Sequence, residues 1–303
     1  MRKILDGLTD VIRNFNSYLR YYVLLLPFLP DRIRIRIMWN KWMDYPLNIK
    51  HPKTFNEKLQ WMKLYDRNPL YTKLVDKYAV KDYVKHIIGE KYIIPTLAVW
   101  DTIEAIDLTK LPNQFVLKTT HDSGGVCICK DKATFDFEAA KNKLNKSMHY
   151  DYYKLAAEWP YKNVPHRIIA EEYLEDNRYH ELRDYKFFCF SGKVKALFIA
   201  TERQSRKEPF FSFFDRNFNY LDIKQGHPKP DTPPEKPDNY ELMIELAEKL
   251  SKDFPQVRVD FYEVNGQVYF GELTFFHHSG VVPFEPRKWD DIFGSWFVLP
   301  EKK

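Results

Sequence analysis

Residues 257–280 read VRVDFYEVNGQVYFGELTFFHHSG and predict two β-strands joined by a tight turn at Asn265-Gly266. Asn-Gly between two alternating runs is the strongest short-range signal for a β-hairpin. Because successive side chains of a strand point to opposite faces, Arg258, Asp260 and Tyr262 are expected to share one face of the first strand.

The second strand also alternates. The pattern predicts one face formed by Val268, Phe270, Glu272 and Thr274, with Tyr269 and Gly271 on the other. Asp260 and Glu272 therefore stand in the middle of apolar, aromatic strands, where a carboxylate is costly unless it is paired, hydrogen-bonded or bound to a metal. Two interpretations fit. The carboxylates hold Mg²⁺, which proteins bind through one or two carboxylates plus substrate phosphates, or they pair with Lys or Arg across a surface sheet.

The composition is that of a globular protein, with 44% hydrophobic and 29% charged residues in a chain of 303. This length suits one large domain or two ordinary ones. The three cysteines cannot form a disulfide framework, and Cys127-x-Cys129 lacks a second pair for zinc, which favours reduced cysteines in a reducing compartment. The net charge of +5 permits an anionic substrate or a membrane surface, and the sequence carries no nucleic-acid-binding signature.

The N-terminal 50 residues leave two questions open. No cleavable signal peptide is evident, and the apolar run at 21–29 is too short to span a bilayer. Either this run lies in a membrane interface, beside the arginines that follow it, or it packs as a helix on the body of the protein. Residues 32–37 alternate as a strand does, whereas residues 37–42 favour a helix. We therefore expect a cytoplasmic protein, peripheral to the inner face of the membrane if the first interpretation holds.

A lysine and a glycine loop adjoin in residues 114–129, QFVLKTTHDSGGVCIC. An apolar strand ends at Lys118, a polar loop with Gly124 and Gly125 follows, and a second strand returns. Glycines let backbone N–H groups approach an anion, and a lysine beside such a loop places a point charge on a phosphate. Ser-Gly-Gly is also a common hairpin turn, and the Walker pattern G-x-x-x-x-G-K-[ST] is absent from the sequence.

The other elements are predicted from caps and periodicity. Thr54 and Glu57 have the spacing of a capping box and predict a helix from about residue 55 to residue 65. Further helices are expected at residues 72–86, 133–150 and 240–252, and strands at 167–174, 184–190 and 193–200. Residues 224–239 form a Pro-rich connector.

The order of these features resembles the ATP-grasp superfamily of carboxylate–amine ligases. It is most similar to the TupA-like branch of teichuronopeptide and capsular polysaccharide biosynthesis. The motifs that carry this resemblance are PKTFNEKLQW at 52–61, YDRNP at 65–69, DKY at 76–78, DYKF at 184–187 and VDFY at 259–262. Arg258-Val-Asp260, followed by a hairpin and Glu272, also resembles the terminal pattern of D-alanine–D-alanine ligase.

The resemblance implies an α+β ATP-grasp fold in which two subdomains hold ATP between antiparallel sheets. We expect a helical N-terminal extension at residues 1–50 and a region preceding the ATP-grasp core at 51–110. A small subdomain with the phosphate lysine, the glycine loop and a hinge is expected at 111–175. A large subdomain with the metal-binding hairpin is expected at 176–303.

The resemblance also implies roles for individual residues in binding ATP. Lys77 and Lys118 are expected at the phosphates, beneath a flexible lid at residues 121–125 that includes His121, Ser123, Gly124 and Gly125. The adenine is expected along Glu171, Glu172, Tyr173 and Leu174, and the ribose at Asp184.

Catalytic and metal-binding roles follow for the hairpin and its neighbour strand. Asp260 and Glu272 are expected to hold one or two Mg²⁺ ions, Lys186 to reach a phosphate or the acyl group, and Arg258 to face the transferring phosphoryl group. Thr274 stands where many members have Asn, and a hydroxyl ligates a hard cation less reliably, so a second ion is left open. His277, His278 and Ser279 occupy the place of the acceptor site, either as contacts or as polar residues of a turn.

The expected function is an ATP-dependent ligase that forms an amide between an amino acid and a uronic acid, through an acyl phosphate, in surface polysaccharide assembly. Its partners are then an amine and a carboxylate-bearing sugar or glycan, free or lipid-linked, and no nucleic acid. This chemistry concentrates negative charge, which Lys, Arg and Mg²⁺ stabilise, and it needs no nucleophilic side chain. The alternatives are an ATP-grasp phosphotransferase, a polysaccharide glycosyltransferase and an inactive binding module.

Overall fold

A computed structural model describes residues 26, 28–203, 206 and 208–302. Its helices are α1 Asp31–Trp42, α2 Phe55–Tyr65, α3 Leu70–Val75, α4 Val80–Ile88, α5 Phe137–Met148, α6 Tyr152–Ala156, α7 Tyr240–Ser251 and α8 Lys288–Trp296. Its strands are β1 Thr96–Trp100, β2 Phe115–Thr119, β3 Val126–Cys129, β4 Ile168–Glu172, β5 Asp184–Phe190, β6 Lys193–Thr201, β7 Phe210–Asp215, β8 Tyr220–Leu221, β9 Gln256–Val264 and β10 Gln267–Thr274.

Two antiparallel sheets form the framework. The smaller has the strand order β1-β4-β2-β3, and the larger has the order β10-β9-β5-β6-β7-β8. The predicted α+β architecture of antiparallel sheets with helices is thereby confirmed. β1 pairs with β4, so a strand from the region 51–110 belongs to the smaller sheet rather than preceding it. The boundaries of the subdomains stay predictions.

The larger sheet is covered on both faces, which explains why β5, DYKFFCF, does not alternate between apolar and polar residues. Phe187 packs towards α7, with its ring centroid 6.0 Å from that of Tyr240. Its neighbour Phe188 points the other way and lies 6.0 Å from Phe55 of α2 and 5.1 Å from Phe293 of α8. Apolar side chains therefore pack on both faces of the sheet. This packing holds β5 and β9, which carry the site described below, in position.

Helix α2 begins where the capping box predicts. The Thr54 hydroxyl accepts a hydrogen bond from the Glu57 backbone N–H at 3.2 Å, and the Glu57 carboxylate accepts one from the Thr54 N–H at 3.2 Å. Two orphan donors at the helix start are thus satisfied by side chains.

The single helix predicted at 72–86 is wrong, because Asp76 divides it into α3 and α4. Its carboxylate accepts hydrogen bonds from the backbone N–H groups of Tyr78 and Ala79 at 2.8 and 3.1 Å. Such a local bond competes with helical hydrogen bonding. The break frees the Lys77 N–H to donate to the Thr120 carbonyl at 3.0 Å, which fixes Lys77 beside the glycine loop.

Two further segments are helices. Residues 32–37 belong to α1, where buried Arg34 donates to the Leu29 and Lys154 carbonyls at 3.0 and 2.6 Å. Near the C-terminus, α8 packs on α2, and Lys58 donates to the Gly294 carbonyl at 2.8 Å. The apolar run at 21–29 lies mostly outside the described residues. None of the described helices is long and apolar enough to cross a membrane.

Replacing Thr54 with Ala should destabilise the protein by about 1 kcal/mol, because the cap acceptor for Glu57 N–H is lost. Urea unfolding followed by circular dichroism measures the change. Thr72→Ala within α3 is the matched control, since its hydroxyl has no hydrogen-bond partner among the described residues. Equal midpoints for the two variants would contradict a stabilising role of the cap.

Candidate active site

The hairpin forms as predicted, but its two strands do not alternate in the predicted way. The turn residues Asn265 and Gly266 have φ of 51° and 79°. The register shifts between Phe270, opposite Phe261, and Glu272, opposite Asp260. A β-bulge at Gly271 therefore inserts one residue and turns Glu272 to the opposite face from Phe270.

The prediction that Val268, Phe270, Glu272 and Thr274 share one face is accordingly wrong. Phe270 faces the core with Phe261, whereas Glu272 and Thr274 face the site with Asp260 and Arg258. Glycine suits the bulge because a Cβ at Gly271 would lie 3.1 Å from the Asp260 carbonyl oxygen. The bulge is what brings both carboxylates to one place.

Arg258 joins the groups of this face. Its Nε and Nη2 donate to the two carboxylate oxygens of Asp260, each at 2.7 Å. Nη2 also donates to Glu272 Oε1 at 2.8 Å and to Thr274 Oγ1 at 2.9 Å, and Nη1 contacts His277 Nδ1 at 2.6 Å. Arg258 is buried, and most of its donors are directed to protein groups. The structure thus places it beneath the carboxylates, where it fixes their position.

The Thr274 hydroxyl accepts from Arg258 and donates to Glu272 Oε1 at 3.1 Å. Its oxygen is thereby engaged in holding two neighbouring side chains. The expected role of Thr274 as a metal ligand is not supported by this geometry, in which it orients the Glu272 carboxylate.

Lys186 enters the same face from β5, directly opposite Asp260 in the register. Its ammonium group forms ion pairs with Asp260 and, at 3.1 Å, with Asp184. Arg203 pairs with the same oxygen of Asp184, Oδ2, at 2.6 Å. The expected ribose contact, Asp184, is therefore a buried carboxylate that already has two cationic partners.

The pKa values of the carboxylates differ because their surroundings differ. Burial raises the pKa of Asp260 above its ordinary value, against the opposing effects of Arg258 and Lys186. Burial also opposes the ionisation of Glu272, but Lys186, Arg258 and Lys77 outweigh it and lower its pKa to about 2. Glu272, with a side chain 43% exposed, is therefore an anion that faces the open part of the site.

A further buried carboxylate holds the phosphate lysine expected from the sequence. Glu171, on β4, lies 2.5 Å from Lys118 Nζ and 2.6 Å from Lys81 Nζ. Burial opposes its ionisation, but these two lysines lower its pKa. The expected adenine contact through Glu171 is thus replaced by a different role, because its side chain points between the two lysines.

The glycine loop is fixed at its base and open at its tip. The Asp122 carboxylate accepts from the Thr119 and Ser147 hydroxyl groups and, at 3.3 Å, from the Gly125 N–H. The Lys77 ammonium donates to the Asp122 carbonyl. A Cβ at Gly125 would lie 1.9 Å from the Thr119 hydroxyl, so this glycine is required by packing.

The side chain of His121 does not face the expected nucleotide. Its ring stacks on that of His166 at a centroid distance of 3.5 Å, and its Nε2 contacts the Ser147 carbonyl at 3.0 Å. Its expected part in binding the nucleotide is not supported by this orientation, because the ring closes the base of the loop.

These elements enclose a cleft of about 430 Å³ between the two sheets. Of the residues proposed from the sequence, those that line it are Lys77, Lys118, Ser123, Gly124, Glu172, Tyr173, Leu174, Asp184, Lys186 and Glu272. Those that lie behind or beside its lining are His121, Gly125, Glu171, Arg258, Asp260 and Thr274. The residues that line it but were not proposed as site residues include Ile94, Val116, Val126, Ile128, Lys143, Leu182, Arg203 and Tyr262.

Some of these additional residues could have been found from strand alternation. Val116 lies two residues before Lys118 and pairs with Ile128, so the three share one face. Tyr262 follows Asp260 in the same way. Arg203 and Leu182 lie outside the strands, and no periodicity marks them.

A model of the family described as TupA-like ATPgrasp matches residues 57–298. The chain belongs to the TupA-like ATP-grasp family. This match confirms the predicted family and the ATP-grasp fold. No curated protein matches the chain.

Several solved structures are similar to this TupA-like protein. D-alanine–D-alanine ligase from Bacillus anthracis is 18% identical, over 67% of this chain and 57% of its own, with a TM-score of 0.39. The ADP complex of N5-carboxyaminoimidazole ribonucleotide synthetase is 14% identical, over 71% and 49%, with a TM-score of 0.41. The ATP-grasp ligase PsnB, complexed with minimal precursor, Mg and ADP, is 10% identical, over 72% and 57%, with a TM-score of 0.37. The chain thus spans about half of the length of these structures.

ATP-grasp proteins bind ATP together with a divalent metal ion, and the Glu272 carboxylate of this chain fits such an ion, whereas both Asp260 oxygens are engaged by Arg258. Glu272 and Asp260 are opposite each other on neighbouring strands, and the ionised Glu272 carboxylate lines the cleft. In the described part of the chain, no group of three or more His, Cys, Asp or Glu is placed to hold a metal by itself. Mg²⁺ does not need such a group, because it takes most of its ligands from water and substrate phosphates.

The ionisation of Glu272 should make stability depend on pH. Its folded pKa of about 2 lies below the ordinary 4.5, so the charge stabilises the folded state above about pH 4.5, and this contribution is lost as the pH falls towards 2. In metal-free buffer, wild type should exceed Glu272→Gln in unfolding free energy at pH 6, and the difference should shrink at acidic pH. Exposed Glu138→Gln is the control, and a Glu272→Gln difference that does not change with pH would contradict the prediction.

Proposed function

We propose that this TupA-like protein is an ATP-dependent ligase that joins a carboxylate to an amine through an acyl phosphate. The observation that carries the proposal is that two groups of charged residues line the same cleft. Lys77, Lys118 and the tip of the glycine loop lie on one side, and Lys186 and Glu272 on the other. Phosphoryl transfer to a carboxylate needs both, because phosphates and acyl oxygens must be held together while negative charge builds up.

The apolar part of the cleft supports a purine nucleotide. Val116 and Ile128 form one wall, and Leu174 and Leu182 lie near the hinge that follows β4. Apolar walls with a few polar groups are typical of cofactor sites. The base would lie between these side chains and bond to the backbone at Tyr173 and Leu174. Its phosphates would then point towards Lys118.

The lysines have distinct parts in the proposed reaction. Lys118, oriented by Glu171, and Lys77, held by the Asp122 carbonyl, would bind the phosphates. Glu272, with Asp260 opposite it, would hold Mg²⁺, which would supply further neutralisation of phosphate charge. Lys186 would bind the oxygens of the carboxylate as it approaches the phosphoryl group. Charges that are oriented in advance stabilise a transition state without further reorganisation.

We further infer that the acid is a uronic acid and the amine an amino acid, in the assembly of a surface polysaccharide. The support is the polysaccharide context of the TupA-like family. The aromatic and cationic surroundings of the glycine loop are compatible with an acidic sugar. A location in the cytoplasm, with peripheral contact to the membrane through the N-terminal 40 residues, belongs to the same proposal.

A screen of ADP release over pairs of uronic acids and amino acids tests the function. Lys118→Met should lower kcat/KM on the order of 100- to 1,000-fold, because a charge-stabilising contact in the transition state is lost. Lys195→Met, at an exposed position of β6, is the matched control and should keep the activity of wild type.

Product analysis separates the ligase from a phosphotransferase. The ligase yields an amide, ADP and free phosphate, whereas the phosphotransferase yields a phosphorylated product without free phosphate. Binding of ATP without ADP release for any acid and amine would count against both.

A further inference from the structure

A second cavity, of about 320 Å³, adjoins the ATP cleft. Ser123, Gly124 and Lys143 line both spaces, so the tip of the glycine loop forms a wall between them. The second cavity adds Lys146, Tyr150 and Tyr152. A molecule bound there would lie against the loop that is proposed to cover the phosphates.

The cavity has a positive charge that the protein does not neutralise. Lys143 and Lys146 are three residues apart on α5 and therefore lie on one side of it. Lys143 donates to the Val126 carbonyl at 2.7 Å, whereas the Lys146 ammonium has no partner among the described residues. The only carboxylate in the lining, Asp122, is buried and accepts hydrogen bonds from the loop and α5. The cavity is thus suited to an anion.

Two tyrosines give the cavity an aromatic side. The ring centroids of Tyr150 and Tyr152 are 6.2 Å apart at an interplanar angle of 60°. Tyr150 is 36% exposed at the rim. A tyrosine ring offers an apolar face for the C–H groups of a sugar and a hydroxyl for its polar groups. Aromatic faces beside the Lys146 ammonium group match a sugar that carries negative charge.

The inner end of the cavity adjoins the proposed reaction centre. Tyr152 and Ser123 of the glycine loop line the cavity together, and Ser123 also lines the ATP cleft. The pKa of Tyr152 is raised by the charge of Glu158, by burial and by the charge of Glu272. Lys146 lies at the outer end. The two ends therefore differ in chemistry, since one adjoins the cleft that Glu272 lines and the other carries a free cation.

We propose that this cavity binds the acid substrate as a glycosyl phosphate of a uronic acid. The carboxylate points past Ser123 and Tyr152 into the ATP cleft, towards Lys186, the sugar ring lies on Tyr150, and the phosphate lies at Lys146. The position of the reacting carboxylate rests on the proposed ligase function. The new element of this assignment is the second anionic group, the phosphate at Lys146. Nucleotide-linked and lipid-linked uronic acids share this phosphate.

Calorimetric binding to the full-length chain tests the second anion without relying on turnover. The probes are glucuronic and galacturonic acid and their 1-phosphates, with Mg·ADP present. Wild type should bind at least one 1-phosphate about 10-fold more tightly than the free acid. Lys146→Ala should remove this difference and Lys146→Arg should keep it, since a single charge contact of this size accounts for the factor of ten.

Lys141→Ala is the matched control, because Lys141 is on the same helix and pairs with Glu138 instead of lining the cavity. It should bind the 1-phosphate as wild type does, and all variants should bind ATP equally. The assignment is overturned if wild type binds acid and 1-phosphate equally or binds neither, or if Lys146→Ala keeps the preference.

ADP release distinguishes this assignment from the ligase proposal. A preference for the 1-phosphate that depends on Lys146, without ADP release for any amine, supports the site and counts against the ligase. ADP release that is equal for acid and 1-phosphate, and unchanged in Lys146→Ala, supports the ligase and overturns the site. Turnover of a nucleotide-linked uronic acid against a lipid-linked one then identifies the source of the phosphate.

Discussion

The site depends on the buried interaction of Arg258 with Asp260. Removing a guanidinium and a carboxylate from water is costly, and only good geometry with further hydrogen bonds offsets the cost. Here the guanidinium meets both carboxylate oxygens at 2.7 Å and also reaches Glu272 at 2.8 Å. Attraction to both carboxylates raises the pKa of Arg258 despite its burial. Without this cation, two neighbouring carboxylates would repel each other, and one would be driven to take up a proton.

The bulge at Gly271 allows one hairpin to contribute apolar side chains to the core and charged side chains to the cleft. Before the bulge, Phe270 packs opposite Phe261 in the core, and after it Leu273 packs opposite Val259 on that same face. The extra residue turns Glu272 to the cleft without removing an apolar contact. A regular strand with this sequence would direct Phe270 and Glu272 to one face, and either the core or the carboxylate pair would be lost.

The features that the sequence predicted depend on near neighbours along the chain. The turn at Asn265-Gly266 and the cap at Thr54 each follow from residues within three positions. The bulge was not predicted, because its pairing is decided by a different strand. The same holds for Glu171, whose direction is fixed by lysines on α4 and β2. Alternation and caps thus predicted most elements, and the family resemblance predicted many residues of the cleft, whereas the partner of each charge required the fold.

Several cations of the ATP cleft are held by buried acids, and this arrangement distinguishes it from the adjoining cavity. Glu171 holds Lys118, and Asp184 and Asp260 hold Lys186. A lysine that is held in advance loses less conformational freedom when an anion binds. Lys146 has no such acid among the described residues, so a ligand must both order and neutralise it. This difference supports the proposals that the cleft orients phosphates for a reaction and that Lys146 retains a substrate at the end that does not react.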